Sequence, residues 1–168
     1  MEITCGIFII NAKKEILLGK PFRTNNGLTI PKGRIEMGET FLQAAKRETF
    51  EEFNVDFFNY DDSFFIELEK QVYKNHKKTL RSFVIFNEDS ESETYKNLKC
   101  NSFFEETKPE IIDYQWTCFR EAFSILPKTQ RSALEEIKKL INDYSYPFNY
   151  NLFLENKNVA GFERFFKK

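Results

Sequence analysis

The run Arg47-Glu48-Thr49-Phe50-Glu51-Glu52 constrains this chain more than any other, because Glu48, Glu51 and Glu52 stand at i, i+3 and i+4. That spacing is helical, and in a helix it brings three carboxylates onto one face. Each like-charged pair costs roughly 0.2–0.5 kcal/mol, and acids toward a helix C-terminus oppose the macrodipole. Leu42, Ala45, Thr49 and Phe53 form a stripe on the opposite side, so one face of the helix should pack on a hydrophobic core while the other carries the acids. The crowded face then makes most sense around a cation. Its donors are hard oxygens without histidine or cysteine nearby, which selects Mg²⁺, with Mn²⁺ as a substitute, over zinc. Taken alone, the glutamates would also suit a solvated acidic surface.

The preceding stretch, Pro31-Lys32-Gly33-Arg34-Ile35-Glu36-Met37-Gly38-Glu39, reads as a glycine-bearing loop leading into that helix, with Thr40 as its N-cap. Gly33, five residues, Glu39, seven residues, Arg47-Glu48, Thr49, Phe50, Glu51-Glu52, Phe53, Asn54 and Val55 together resemble the Nudix box, G-x5-E-x7-R-E-U-x-E-E-x-G-U. Every charged position of the pattern is filled. Thr49 departs from it at an apolar position and Asn54 at a glycine. Asparagine tolerates the left-handed conformation that ends a helix better than other non-glycine residues.

The resemblance implies an α/β class fold, the Nudix α/β/α sandwich, with a mixed curved sheet between helices and a loop-helix-loop carrying the box. It covers residues 1–143 and leaves 144–168 as an aromatic-rich C-terminal extension without an assigned role. It further implies a pyrophosphohydrolase in which Glu51 and Glu52 are the principal metal ligands. Glu48 would be a further ligand, directly or through water, and the backbone carbonyl of Lys32 another. Arg47 would hold the carboxylates in place together with Glu39 through charge-assisted hydrogen bonds. Lys32, Arg34, Lys20 and Arg23 are candidates to contact phosphate. Many members add a glutamate from a later loop as general base or extra ligand. Glu110 is expected in that role, with Glu105 and Glu106 as runners-up.

Composition narrows the partners. A formal net charge of −1 excludes a general polyanion binder, so affinity for phosphate must come from local basic groups and metal. The 20 phenylalanines are read as core packing rather than as nucleobase stacking. Cys5, Cys100 and Cys118 are dispersed and odd in number, as expected of reduced thiols. The sequence from Met1 offers no signal-peptide pattern and no apolar run near the roughly 20 residues a membrane span needs, so a cytoplasmic protein is expected.

Along the chain, Ile3 to Ile10 and Glu15 to Lys20 read as a hairpin turning at Asn11-Ala12-Lys13-Lys14. Leu28 to Ile30 reads as a short strand, Ser63 to Lys70 and Thr79 to Asn87 as strands flanking a basic turn at Lys74 to Lys78, and Glu88 to Lys108 as a polar connection. Ile111 to Phe119 is expected to be a strand and Lys128 to Asn142 a helix.

Substrate identity is left to weaker signals. The segments Pro31 to Gly33, Glu110 to Trp116 and Lys128 to Arg131 resemble the dinucleoside polyphosphate and diphosphoinositol polyphosphate branches of the family. Tyr73, at the distance where the former place a base-stacking tyrosine, favours a nucleoside diphosphate linked to another moiety, diadenosine polyphosphates foremost. The basic turn, with His76 within it, would also suit a diphosphoinositol or a capped or triphosphorylated RNA 5′ end. A Nudix-fold regulatory module that binds nucleotide without cleaving it is the alternative of another class.

Overall fold

The computed structural model of the protein describes residues 2–24, 27–73, 77–87 and 92–156. Strands β1 (Glu2–Ile10) and β2 (Glu15–Pro21) form the expected hairpin. Asn11 closes it: its Oδ1 accepts from the amides of Lys13 and Glu15, both at 2.9 Å, while Lys14 takes a φ of 59°. Then follow β3 (Lys32–Arg34), α1 (Phe41–Phe53), a 3-10 turn (Asp62–Phe64), β4 (Ile66–Glu67), β5 (Gln71–Val72) and β6 (Lys78–Phe86). A short α2 (Glu93–Lys96), β7 (Phe103–Glu105), β8 (Lys108–Pro109), β9 (Ile111–Cys118), α3 (Phe119–Ile125) and α4 (Lys128–Asp143) complete the labelled elements.

The main sheet runs β4-β6-β1-β2-β9, with β3 also on β1 and β5 also on β6; β7 and β8 pair separately. Only β1 and β6 are parallel, in register from Glu2 opposite Lys78 to Ile10 opposite Phe86, and the other pairs are antiparallel. The sheet is therefore mixed. The period-2 alternation of β1 assigns its two faces. Cys5, Ile7 and Ile9 join the core under α1, with Ala44, Ala45, Phe53 and Phe57, whereas Phe8 and Ile10 join the core under α3 and α4, with Leu126, Leu134 and Ile137. Both faces are covered, which is why the central strand carries no polar side chain from Cys5 to Ile10. The result is the α/β/α sandwich.

Tertiary pairing overrode local pattern in several places. Lys32–Arg34, within the expected glycine loop, is a strand set against Thr4, Cys5 and Gly6 of β1. The approach needs glycine at position 6, since a Cβ there would stand 2.6 Å from the Pro31 carbonyl oxygen. The strand expected over Leu28 to Ile30 reduces to one bridge between Gly19 and Thr29, and that over Ser63 to Lys70 to the 3-10 turn and the two-residue β4. The polar connection contains α2 and the β7–β8 hairpin, and α3 was not foreseen. Lys74 to His76 of the basic turn lie outside the described residues.

Helix α1 begins as expected. Thr40 and Gln43 make a reciprocal capping box. Its buried face holds Ala45, Thr49 and Phe53, and Thr49 satisfies its hydroxyl by donating to the Ala45 carbonyl at 2.7 Å, so a polar residue is accommodated at an apolar position. Lys46 is also buried, an outcome the stripe did not indicate. Its ammonium donates to the Tyr60 carbonyl at 3.0 Å and Asp62 at 2.7 Å and lies 4.6 Å from the centre of the Phe65 ring, tying α1 to the loop that follows it.

Beyond Asp143 the chain turns back onto the core. Phe148 and Phe153 are buried there, with Phe148 stacked on Phe86 at 4.2 Å, and residues 150–156 are helical.

Candidate active site

Strand β3 and helix α1 meet across a gap that glycine makes possible. A Cβ on Gly33 would overlap the carboxylate of Glu48, so the absence of a side chain there lets the acid lie against the β3 backbone. One turn further along α1, Glu52 is 3% exposed and its Oε2 accepts from the backbone amide of Lys32 at 2.8 Å. Glu51 stays at the rim.

Arg47 organises the cluster. Its Nε donates to Glu39 Oε1 at 2.7 Å, its Nη1 to Glu48 Oε1 at 2.8 Å and Glu51 Oε2 at 3.3 Å, and its Nη2 to Glu39 Oε2 at 3.1 Å and to the Arg34 carbonyl at 2.8 Å. One planar guanidinium thus joins the loop, β3 and two of the three helix acids. Glu39 also receives the Glu36 amide at 2.9 Å, so it fixes the loop while it fixes the arginine. Hydrogen bonds from Arg47 hold the Glu39 carboxyl below its ordinary range.

Glu48 and Glu52 go the other way. Burial raises both, Glu52 to about 8, and the neighbouring charge of Glu110 adds to the rise at each. The charge of Glu110 thus acts on the cluster although the residue lies far along the chain. It is placed by its backbone: its amide donates to the Ser102 carbonyl at 3.0 Å and its carbonyl accepts from the Phe22 amide at 2.9 Å. Of the two runners-up, Glu105 is paired with Lys108 at 2.7 Å and Glu106 is exposed.

The remaining sequence candidates spread around the same end of the sheet. Lys20 sits in β2 opposite Asp113. Arg23 follows β2 and is exposed, and Tyr73 follows β5 with its amide donating to the Lys78 carbonyl at 3.0 Å. The Arg34 guanidinium pairs with Glu2 at 3.0 Å, and its carbonyl accepts from Arg47 beside the acid cluster.

Sequence reasoning missed how the end of α1 is fastened. Asn54 ends the helix at φ 58°, in the left-handed region where the pattern has glycine, and its side chain then does what glycine could not. Its Nδ2 donates to the Asn97 carbonyl at 3.0 Å and its Oδ1 accepts from Asn101 Nδ2 at 3.2 Å. The Asn101 amide donates to the Glu51 carbonyl at 2.7 Å, and the Tyr114 hydroxyl to the Glu52 carbonyl at 2.7 Å. Terminal helix carbonyls that would otherwise turn to water are thus taken by the segment that carries Glu110. Asn54→Gly keeps the backbone conformation and removes both side-chain bonds. It should melt within about 3 °C of the parent while the amides of Asn101 and Glu110 exchange about tenfold faster, a shift of about 1.4 kcal/mol in local opening, read by hydrogen exchange.

Among the described residues, no group of three or more acids, histidines or cysteines is arranged to hold a metal ion unaided. The donors nevertheless suit one. They are all oxygens, and desolvation raises the carboxyls of Glu48 and Glu52, with neighbouring acids adding to the rise. An ion that shares its ligands between carboxylates, water and a substrate phosphate fits such a set better than a fully caged one.

With fold and site in place, comparison with known proteins agrees. The NUDIX domain family model matches residues 2–140, and the chain belongs to the Nudix family. It is accordingly an enzyme of the pyrophosphohydrolase class, in a family that generally uses divalent cations. Its fold is similar to that of the Ap4A hydrolase of C. elegans in a binary complex, at 22% identity and a TM-score of 0.63 over 86% of this chain and 100% of that one. It is also similar to the MutT protein of Methanosarcina mazei Go1, at 18% identity and a TM-score of 0.54 over 82% of this chain and 93% of that one. The E. coli ORF135 protein gives 17% identity and a TM-score of 0.60 over 87% and 94%. No curated protein sequence matches the chain.

Proposed function

We propose that this protein hydrolyses, with Mg²⁺, a phosphoanhydride bond in a nucleoside diphosphate linked to another moiety, with diadenosine or related polyphosphates preferred. The observation that carries the reading is the pair Glu48 and Glu52, whose carboxyls are raised by desolvation, held beside Gly33, with Arg47 paired to Glu48. Glu48, Glu51 and Glu52, with the Lys32 carbonyl, would hold the ion. A divalent cation at such a position neutralises phosphate oxygens and lowers the pKa of water.

The chain's own residues supply orientation and proton handling. Arg47 keeps Glu48 and Glu51 from splaying apart, and Glu39 keeps Arg47 in its plane. Glu110, whose backbone is anchored to Ser102 and Phe22 and whose charge acts on Glu48, would accept a proton from the attacking water. Lys20, Lys32 and Arg23 provide positive charge at the mouth for the phosphates beyond the cleaved bond. The preference for a nucleotide with two ends draws on the likeness to an Ap4A hydrolase and on Tyr73 at one edge of the site.

The test is a cleavage panel with Mg²⁺ or Mn²⁺ over dinucleoside polyphosphates, nucleoside triphosphates, ADP-ribose, diphosphoinositols and capped or triphosphorylated RNA, run in ¹⁸O water. Highest kcat/KM on a dinucleoside polyphosphate is expected. A preference for diphosphoinositols or RNA ends would overturn the substrate assignment, and no cleavage together with nucleotide-dependent thermal stabilisation would identify a binding module.

A further inference from the structure

The β7–β8 hairpin is closed at its base by a sulfur. Cys100 and Ser102 precede the hairpin, Glu110 and Ile111 follow it, and the Cys100 thiol bonds to both sides. It donates to the Ser102 carbonyl at 3.2 Å, lies 3.4 Å from the Ser102 hydroxyl and accepts from the Ile111 amide at 3.4 Å. The same Ser102 carbonyl takes the Glu110 amide at 3.0 Å. Cys5 is buried and Cys118 exposed, whereas Cys100 is half-buried and packs against the core under α1 to which Ile111 belongs.

These bonds converge on one peptide unit. In a trans peptide the carbonyl and the N–H point to opposite sides. The carbonyl of the Glu110–Ile111 unit accepts from the Phe22 amide at 2.9 Å, and its N–H is the one given to Cys100. The unit is therefore gripped from the β2 side by Phe22 and from the other side by the sulfur. Just beyond it the ladder is irregular: Lys20 stands opposite Asp113 but Pro21 opposite Ile111, so Ile112 is an extra residue on β9. Regular pairing does not fix the chain direction at Glu110; the bonds to Phe22, Ser102 and Cys100 do.

We propose that Cys100 is a positioning residue for the reaction: by taking the Ile111 amide and bonding the Ser102 carbonyl that holds the Glu110 amide, its thiol fixes the backbone on both sides of Glu110 and so the direction of that carboxylate. The inference rests on the reading of Glu110 as acceptor of the proton from the attacking water. The charge of Glu110 acts on Glu48 and Glu52, so a displaced Glu110 is felt in the cluster. A thiol can serve as weak donor and weak acceptor at once, serine offers both functions again, and alanine offers neither. Water can satisfy the Ile111 amide in an alanine variant without holding it in place, so position is lost more than stability.

The experiment compares Cys100→Ala and Cys100→Ser with the parent by melting temperature, by amide exchange at Glu110 and Ile111, and by steady-state kinetics in Mg²⁺ on the best-cleaved member of the substrate panel. Cys100→Ala should melt within about 4 °C of the parent and exchange both amides about tenfold faster. It should lose kcat by about tenfold with KM within about twofold. Cys100→Ser should slow the exchange again and restore kcat to within about threefold of the parent. In a Glu110→Gln background Cys100→Ala should cost less than about twofold more, because the group it positions is gone. Parental exchange in Cys100→Ala, or parental kcat beside an impaired Glu110→Gln, overturns the proposal and leaves the reading of Glu110 in place. The same loss in both backgrounds, or a serine variant as impaired as alanine, does likewise. Parental kcat in Glu110→Gln, or a wild-type protein without turnover, overturns the reading of Glu110 and the proposal with it.

Discussion

Glu52→Gln is expected to lower Mg²⁺-dependent kcat by roughly a thousandfold while leaving the folded protein intact, or slightly more stable. The glutamine keeps the shape and still accepts from the Lys32 amide, so the bond that orients the side chain at 2.8 Å survives. What disappears is the negative charge. In the metal-free protein that charge is a burden: at 3% exposure, burial lifts the Glu52 carboxyl from 4.5 to about 8. An acid held above its unfolded value binds its proton more tightly in the folded state. Its contribution to stability is full below pH about 4.5 and is lost as pH rises toward about 8.

Metal-free wild-type protein should therefore lose stability across that window, and Glu52→Gln should lose less. The difference near pH 8.5 should be on the order of 2 kcal/mol, read from urea unfolding in EDTA. Saturating Mg²⁺ should remove most of the difference for the wild type, because an ion compensates the charge that burial penalises. The same coupling requires Mg²⁺ binding to release protons near neutral pH, measurable by calorimetry in buffers of different ionisation enthalpy. A variant that retained wild-type turnover, or an unfolding difference of the opposite sign, would overturn the proposal that Glu52 holds the metal.

Gly33→Ala should separate activity from stability in another way. The added Cβ would occupy the space of the Glu48 carboxylate, whose side chain is 12% exposed and held by Arg47. The carboxylate is the far end of a flexible side chain, so the fold can yield by swinging it aside rather than by moving β3. A drop in Tm of only about 2–4 °C is expected, with a fall in kcat of about a hundredfold because the proposed ligand Glu48 is misplaced by about an ångström. Arg47 would then lose one acceptor and keep Glu39. Near-wild-type kcat would mean that the position of Glu48 against Gly33 is incidental to the chemistry.

The legible part of this molecule is local in sequence. The box spans 33–55, and helix periodicity, the Thr40 cap and the Arg47 pairings all act within one loop and helix, where spacing along the chain dictates spacing in space. Hence the acid face, the opposite stripe and the family could be read in advance. The hairpin at Asn11 was legible for the same reason. Strand β3 was not, because Lys32–Arg34 has no strand pattern of its own and is extended only because Gly6 lets β1 come close. The burial of Lys46 was not legible either, because the Tyr60 carbonyl and Asp62 that take its ammonium are delivered by a later loop.

Reaction class thus follows from the order of residues alone, through carboxylates whose convergence is a property of the helix. How those carboxylates are charged, and what surrounds them, depends on the folded chain. Burial of Glu52 is set by β3 packing on α1, and the approach of Glu110 by a hairpin fastened to Asn54, Asn101 and Tyr114. These are long-range contacts, and desolvation and charge coupling depend on distance through space rather than on distance along the chain.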